Sequence, residues 1–209
     1  PIWFDSDTLM STVEYRQENK SSSLITDFGF VNGYKSPTTK KKNSLSHYFL
    51  KYNSNLELEN FNSSNFEMSI KKVSNDSYLN VFDQYITKSN LRPSNFNELT
   101  NSVSVKLSHD NFNFETGMRS YENLREKKQS DRYQYVLPYY NFDKHIPTED
   151  YFYGNISFSS NGSNVLKNTN KLETNFTNNL TYNSIDFILN SGFKNNFGIN
   201  LKNLNSVGK

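Results

Sequence analysis

From Tyr48 to Leu58 the chain alternates in character for eleven residues. One set reads Tyr48, Leu50, Tyr52, Ser54, Leu56, Leu58 and the other Phe49, Lys51, Asn53, Asn55, Glu57. A period of two sends successive side chains to opposite faces of a β-strand, so this segment is one strand with an apolar face and a polar face. Strands of soluble proteins usually run to about 5–6 residues. A tilted strand that crosses a bilayer needs about 9–11.

The pattern repeats along the chain. Phe66, Met68 and Ile70 alternate with Glu67, Ser69 and Lys71; Val103, Val105 and Leu107 with Ser102, Ser104 and Lys106. Phe112, Phe114 and Met118 alternate with Asn113, Glu115 and Arg119, and Val13 and Tyr15 with Glu14, Arg16 and Glu18. Leu172, Phe176, Leu180 and Tyr182 continue the series, whereas Ile25 and Val31 break it beside Leu24, Phe28 and Phe30. Ser74–Ser77 and His109–Asn111 are short enough for hairpin turns, and Asn161-Gly162 is a favoured turn pair. Longer polar connections are expected at 35–44, 88–99, 122–131 and 143–149. The expectation is an all-β chain: an antiparallel meander of about 11–12 long strands, with no helix, forming part of a large transmembrane β-barrel.

Composition decides between environments. Hydrophobic residues make up 34% of the chain, with 33 Asn, 28 Ser and no Ala, too little apolar material for an ordinary water-soluble core. Aromatics reach 15% and the net charge is only +2, which argues against disorder. An AT-rich genome explains much of the Asn and Lys but not where the apolar residues fall. Their restriction to one face suits a wall with lipid on one side and a wet lumen on the other. Parity then assigns Glu14, Arg16, Glu67, Lys71, Glu115 and Arg119 to the lumen. It assigns Tyr48, Leu50, Tyr52, Phe66, Met68, Ile70, Val103, Val105, Phe112 and Phe114 to lipid.

Other chemistry finds no footing in the sequence. Without Cys there are no disulfides, no thiol chemistry and no Cys-ligated zinc. His47, His109 and His145 are scattered without partners at metal-ligand spacing, and there is no nucleophile elbow or phosphate loop. Neither an enzyme nor a cofactor is expected, and the weak net charge does not favour nucleic acid. Lys40-Lys41-Lys42 reads as a solvated loop.

Three segments carry a family resemblance. Ser74-Asn75-Asp76-Ser77-Tyr78-Leu79-Asn80-Val81-Phe82-Asp83, following the strand at Phe66, resembles a turn-and-strand motif in the barrel domain of the lipopolysaccharide-assembly outer-membrane protein LptD. Val103–Tyr121 is similar to that family's next strand pair. Tyr133–Phe142 is similar to its strand running into a proline and aromatics, with Tyr139 where many members carry an acidic residue. The resemblance implies an outer-membrane translocon of a Gram-negative bacterium that inserts lipopolysaccharide into the outer leaflet. It also implies a plug lipoprotein like LptE and a periplasmic bridge as partners, and residues 1–209 as an internal piece of the barrel domain. Two other readings fit the alternation or the composition: a TonB-dependent receptor or porin for solute uptake, and a secreted Asn-rich β-adhesin.

Overall fold

The computed structural model describes residues 2–3, 8–35, 42–86, 91–148, 153–168 and 170–208. Among these, one antiparallel sheet runs in chain order through β1 (Ile2–Trp3), β2 (Leu9–Glu18), β3 (Ser22–Lys35), β4 (Lys42–Asn55), β5 (Ser63–Val73), β6 (Glu98–Ser108), β7 (Phe112–Asn123), β8 (Tyr133–Ile146), β9 (Gly154–Lys167), β10 (Lys171–Ser184) and β13 (Gly198–Gly208). Ten of these strands are 10–14 residues long. β11 (Phe187–Ile188) and β12 (Lys194–Asn195) form a separate small hairpin inside the β10–β13 connection. The sheet is open, with β1 and β13 as its edges. The chain is therefore all-β and a meander, with somewhat fewer long strands than the sequence pattern suggested.

Three local expectations are corrected. Ser74–Ser77 is not a hairpin turn: it opens a connection to Glu98 that contains a four-residue helix, α1 (Tyr78–Val81), and a 3-10 turn at Asp83–Tyr85. No strand follows the Ser74–Ser77 turn, because Tyr78, Leu79 and Phe82 fold down into a core instead of pairing along an edge. A second four-residue helix, α2 (Gln129–Arg132), sits before β8, so the chain is not free of helix. Asn161-Gly162 lies in the middle of β9, fully paired on both sides. Glycine is needed there because a Cβ would stand 2.5 Å from Tyr140 Cε1, whose ring crosses the position. His109–Asn111 does form the tight turn between β6 and β7. Of the expected connections, residues 36–41, which include Lys40 and Lys41, 88–90 and 149 lie outside the described residues.

The core sits on the polar side of the sheet. Met10, Val31, Leu45, Phe49 and Val73 from β2–β5 are covered by Tyr78, Leu79, Phe82, Ile86 and Leu91 from the β5–β6 connection. Ile25 and Tyr34 pack against this cluster, and the Tyr34 and Phe82 rings meet edge-on at 5.6 Å between centroids. Burial of each large apolar side chain contributes about 1.5–3 kcal/mol. The apolar residues that break parity on β3 and β4 are thus the footprint of the inward-folded connection.

Candidate functional site

Cross-strand pairing fixes which residues share a face. One row runs Glu14–Asp27–Phe49–Lys71, and the next runs Arg16–Ile25–Lys51–Ser69–Ser102–Arg119. Glu67 pairs with Ser104 and then Gly117, and Glu115 with Lys106. All six residues that parity assigned to a lumen therefore lie on one face, the face that receives the connection. Arg16 is ion-paired to Glu14, and Lys106 Nζ lies 2.9 Å from Glu67 Oε2. Arg119 stacks over the Tyr139 ring at 4.3 Å and donates to the Tyr139 hydroxyl at 3.0 Å, which in turn donates to Glu115 at 2.8 Å.

The opposite face carries the other set. Leu24, Tyr52, Met68, Val103 and Met118 form one continuous row; Thr26, Leu50 and Ile70 form another. Tyr48 pairs with Phe28, Phe66 with Val105, Phe114 with Leu107 and Phe142, and Phe112 lies on the same face two residues from Phe114. Aromatic rings run on across it, Phe112 to Phe142 at 5.9 Å and Phe142 to Phe158 at 6.2 Å. Among the described residues no second layer covers this face: Val13 is 63% exposed, Met118 54% and Leu201 62%. An uncovered apolar surface spanning a whole sheet far exceeds the few-hundred-Å² patches of soluble monomers.

Two polar constellations have no signature in the sequence. Beneath α1, Tyr78 Oη lies 2.9 Å from His47 Nδ1, and His47 Nε2 lies 3.4 Å from Asp27 Oδ1. All three side chains are buried, and His47 stacks on Phe49 at 4.6 Å. Gly29, opposite His47, leaves room for the imidazole, since a Cβ there would overlap the ring. Burial, and then the Asp27 charge, pushes the Tyr78 hydroxyl above the ordinary phenol range. With no exposed surface, the trio cannot meet a substrate and instead docks the connection.

The second constellation joins two connections at the same end of the sheet. Arg132 of α2 donates to Asp76 at 2.7 Å and, from Nε and a terminal nitrogen, to Glu122 at 2.9 and 2.7 Å. Hydrogen bonding to Asp76, joined by Glu122, raises the Arg132 pKa further above its ordinary value. Glu122 also accepts from Tyr133 at 3.0 Å and Lys72 at 3.1 Å. The apolar residues that break parity on β3 and β4 are an indirect sign of the first alone. No group of three or more His, Asp or Glu among the described residues could hold a metal ion. The sequence matches no protein-family model and no curated protein.

Proposed function

We propose that this chain is part of the wall of an outer-membrane β-barrel that inserts lipopolysaccharide into the outer leaflet. The observation that carries the membrane half of this reading is the uncovered apolar face, to which each of the ten strands long enough to cross a bilayer contributes. In water that face costs roughly 25 cal/mol for every Å² left exposed; against acyl chains the cost disappears. The opposite face, with its charged rows and inward-folded connection, is the lining of a wet lumen. Full closure by further strands removes the open edges that β1 and β13 otherwise present. The lipopolysaccharide half rests on the resemblance of Ser74–Asp83, Val103–Tyr121 and Tyr133–Phe142 to the assembly-translocon family. In that setting the partners are a plug lipoprotein in the lumen and a periplasmic bridge that delivers the lipid.

The lack of Cys makes the test clean, because every introduced thiol is the only one. Single-cysteine variants along β4 and β6, spin-labelled in the full chain in lipid vesicles, should alternate between lipid-soluble oxygen and a water-soluble nickel relaxant. A photo-cross-linker at Ser104, on the polar face, should capture lipopolysaccharide, and one at Val105 should not. Uniform exposure to the aqueous relaxant would overturn the membrane reading; capture of no lipopolysaccharide from the polar face would overturn the transport reading.

A further inference from the structure

The cations of the polar face divide into two kinds. Arg16 has Glu14, Lys106 has Glu67, and Arg119 has Glu115. Lys51 and Lys71 have no hydrogen bond or ion pair from their side chains among the described residues. The register makes them diagonal neighbours, since Lys51 pairs with Ser69 and Lys71 with Phe49, and their charges repel one another. Of the carboxylates nearest to Lys51 in the ladder, Asp27 is fully buried beside His47, and Glu67 is ion-paired to Lys106. Lys71 is half-buried, so its charge loses hydration without gaining a partner.

The strand pairing is also interrupted here. The β5–β6 ladder stops at Ser69–Ser102, and the Lys71 amide donates instead to the Asn101 side chain. Ser69 and Ser102 thus bring two hydroxyls to the same face, beside Lys51 and Lys71 in the ladder, at the point where the sheet loosens. Like-charged neighbours on adjacent strands are destabilising, and an anion between them removes that cost. Two lysines and two hydroxyls match the charge and the several acceptor oxygens of a phosphate monoester.

We propose that Lys51, Lys71, Ser69 and Ser102 form an anion subsite on the polar face that takes a phosphate monoester carried on a sugar. The subsite deepens the reading above and rests on it only in needing a polar face open to water and to a phosphorylated saccharide.

The test is calorimetric titration of the full chain, in detergent micelles, with glucose 1-phosphate and separately with inorganic phosphate. Glucose 1-phosphate should bind the native chain, and Lys51→Gln with Lys71→Gln should weaken binding by about tenfold or more. Lys71→Arg should retain binding, and Lys20→Gln, in the exposed turn after β2, should leave it unchanged. Should the double variant not fold, Lys51→Gln alone must still weaken binding. Equal affinity in the native chain and the variant with Lys51→Gln and Lys71→Gln overturns the subsite, and inorganic phosphate binding as tightly as the sugar phosphate overturns its saccharide component. The spin-label pattern is independent of this titration: alternation without phosphate binding removes the subsite alone, and binding without alternation removes the membrane reading alone.

Discussion

The hydroxyl of Tyr78, on the connection between β5 and β6, lies 2.9 Å from Nδ1 of His47 in the middle of β4. Among the described residues it is the one side-chain hydrogen bond of the buried Tyr78–His47–Asp27 group beneath α1, and both partners are buried. Tyr78→Phe keeps the ring and deletes the hydroxyl, leaving the imidazole nitrogen buried without a partner. The expected loss is about 1–3 kcal/mol. Tyr78→Ala, which also empties the seat, should lose about 3–5 kcal/mol. Urea unfolding of the chain in micelles measures both, and proteolysis within 74–97 should quicken in the same order.

The same hydroxyl predicts a pH dependence at the alkaline end. Below about pH 10 a tyrosine is protonated in folded and unfolded chains alike, and Tyr78 contributes no slope. Above it, the unfolded chain releases the proton while buried Tyr78 keeps it. The folded state then binds more protons, so stability falls as pH rises, by at most about 1.4 kcal/mol per unit from this one group. Tyr78→Phe should remove that component, so unfolding midpoints of native and variant chains should converge between about pH 10 and 12. Parallel curves would exclude it.

Strand parity was legible in the sequence because it depends only on spacing. Leu50, Met68 and Val103 fall on one face and Glu67, Lys71 and Arg119 on the other, as the alternation required. The β5–β6 connection was not legible. Ser74-Asn75-Asp76-Ser77 has the composition of a tight turn, and nothing local says that Tyr78 and Phe82 will pack against Val31 and Phe49, far away in sequence. Long-range packing overrode turn chemistry there, and at Gly162 the Tyr140 ring did the same. Yet Ile25, Val31 and Phe49 recorded the cover indirectly, as apolar residues on a face that should have been polar.

Gly162 gives a direct test of that override. Gly162→Ala places a methyl group against the Tyr140 ring, which must swing away and give up its 3.1 Å contact with the Ser160 hydroxyl. The substitution should destabilise by about 1–3 kcal/mol. In a Tyr140→Ala background it should cost much less, a coupling of about 0.5–3 kcal/mol in a double-mutant cycle. Additive losses would mean that the ring does not dictate the glycine.

Arg132 ties the start of one connection to the end of another. Its guanidinium serves Asp76 and Glu122 together, a fork that the single ammonium of lysine cannot reproduce. Arg132→Lys should therefore behave almost as Arg132→Ala, each losing about 1–3 kcal/mol. Lys72 and Tyr133 remain on Glu122 and limit the damage. Thermal unfolding of the two variants should agree closely, and a Lys variant with native stability would show that charge alone suffices.

Leu50 and Lys51 are adjacent in β4 and point to opposite faces, so the pair tests the environment of the whole sheet. Leu50 lies in the row with Thr26 and Ile70 on the uncovered side. Near the middle of a bilayer, Leu50→Arg should cost about 2–4 kcal/mol. Lys51→Leu adds an apolar side chain to the charged face and relieves its repulsion with Lys71, so with water on that face it should cost little. Folding in vesicles, followed by the mobility shift that folded barrels show on unheated gels, separates the two. A chain that tolerated Leu50→Arg but lost its fold on Lys51→Leu would have its lipid on the face with Glu67 and Arg119. The charged rows would then be buried in hydrocarbon, each unpaired charge costing several kcal/mol, and the inward connection would lie where no water could hydrate its polar rim.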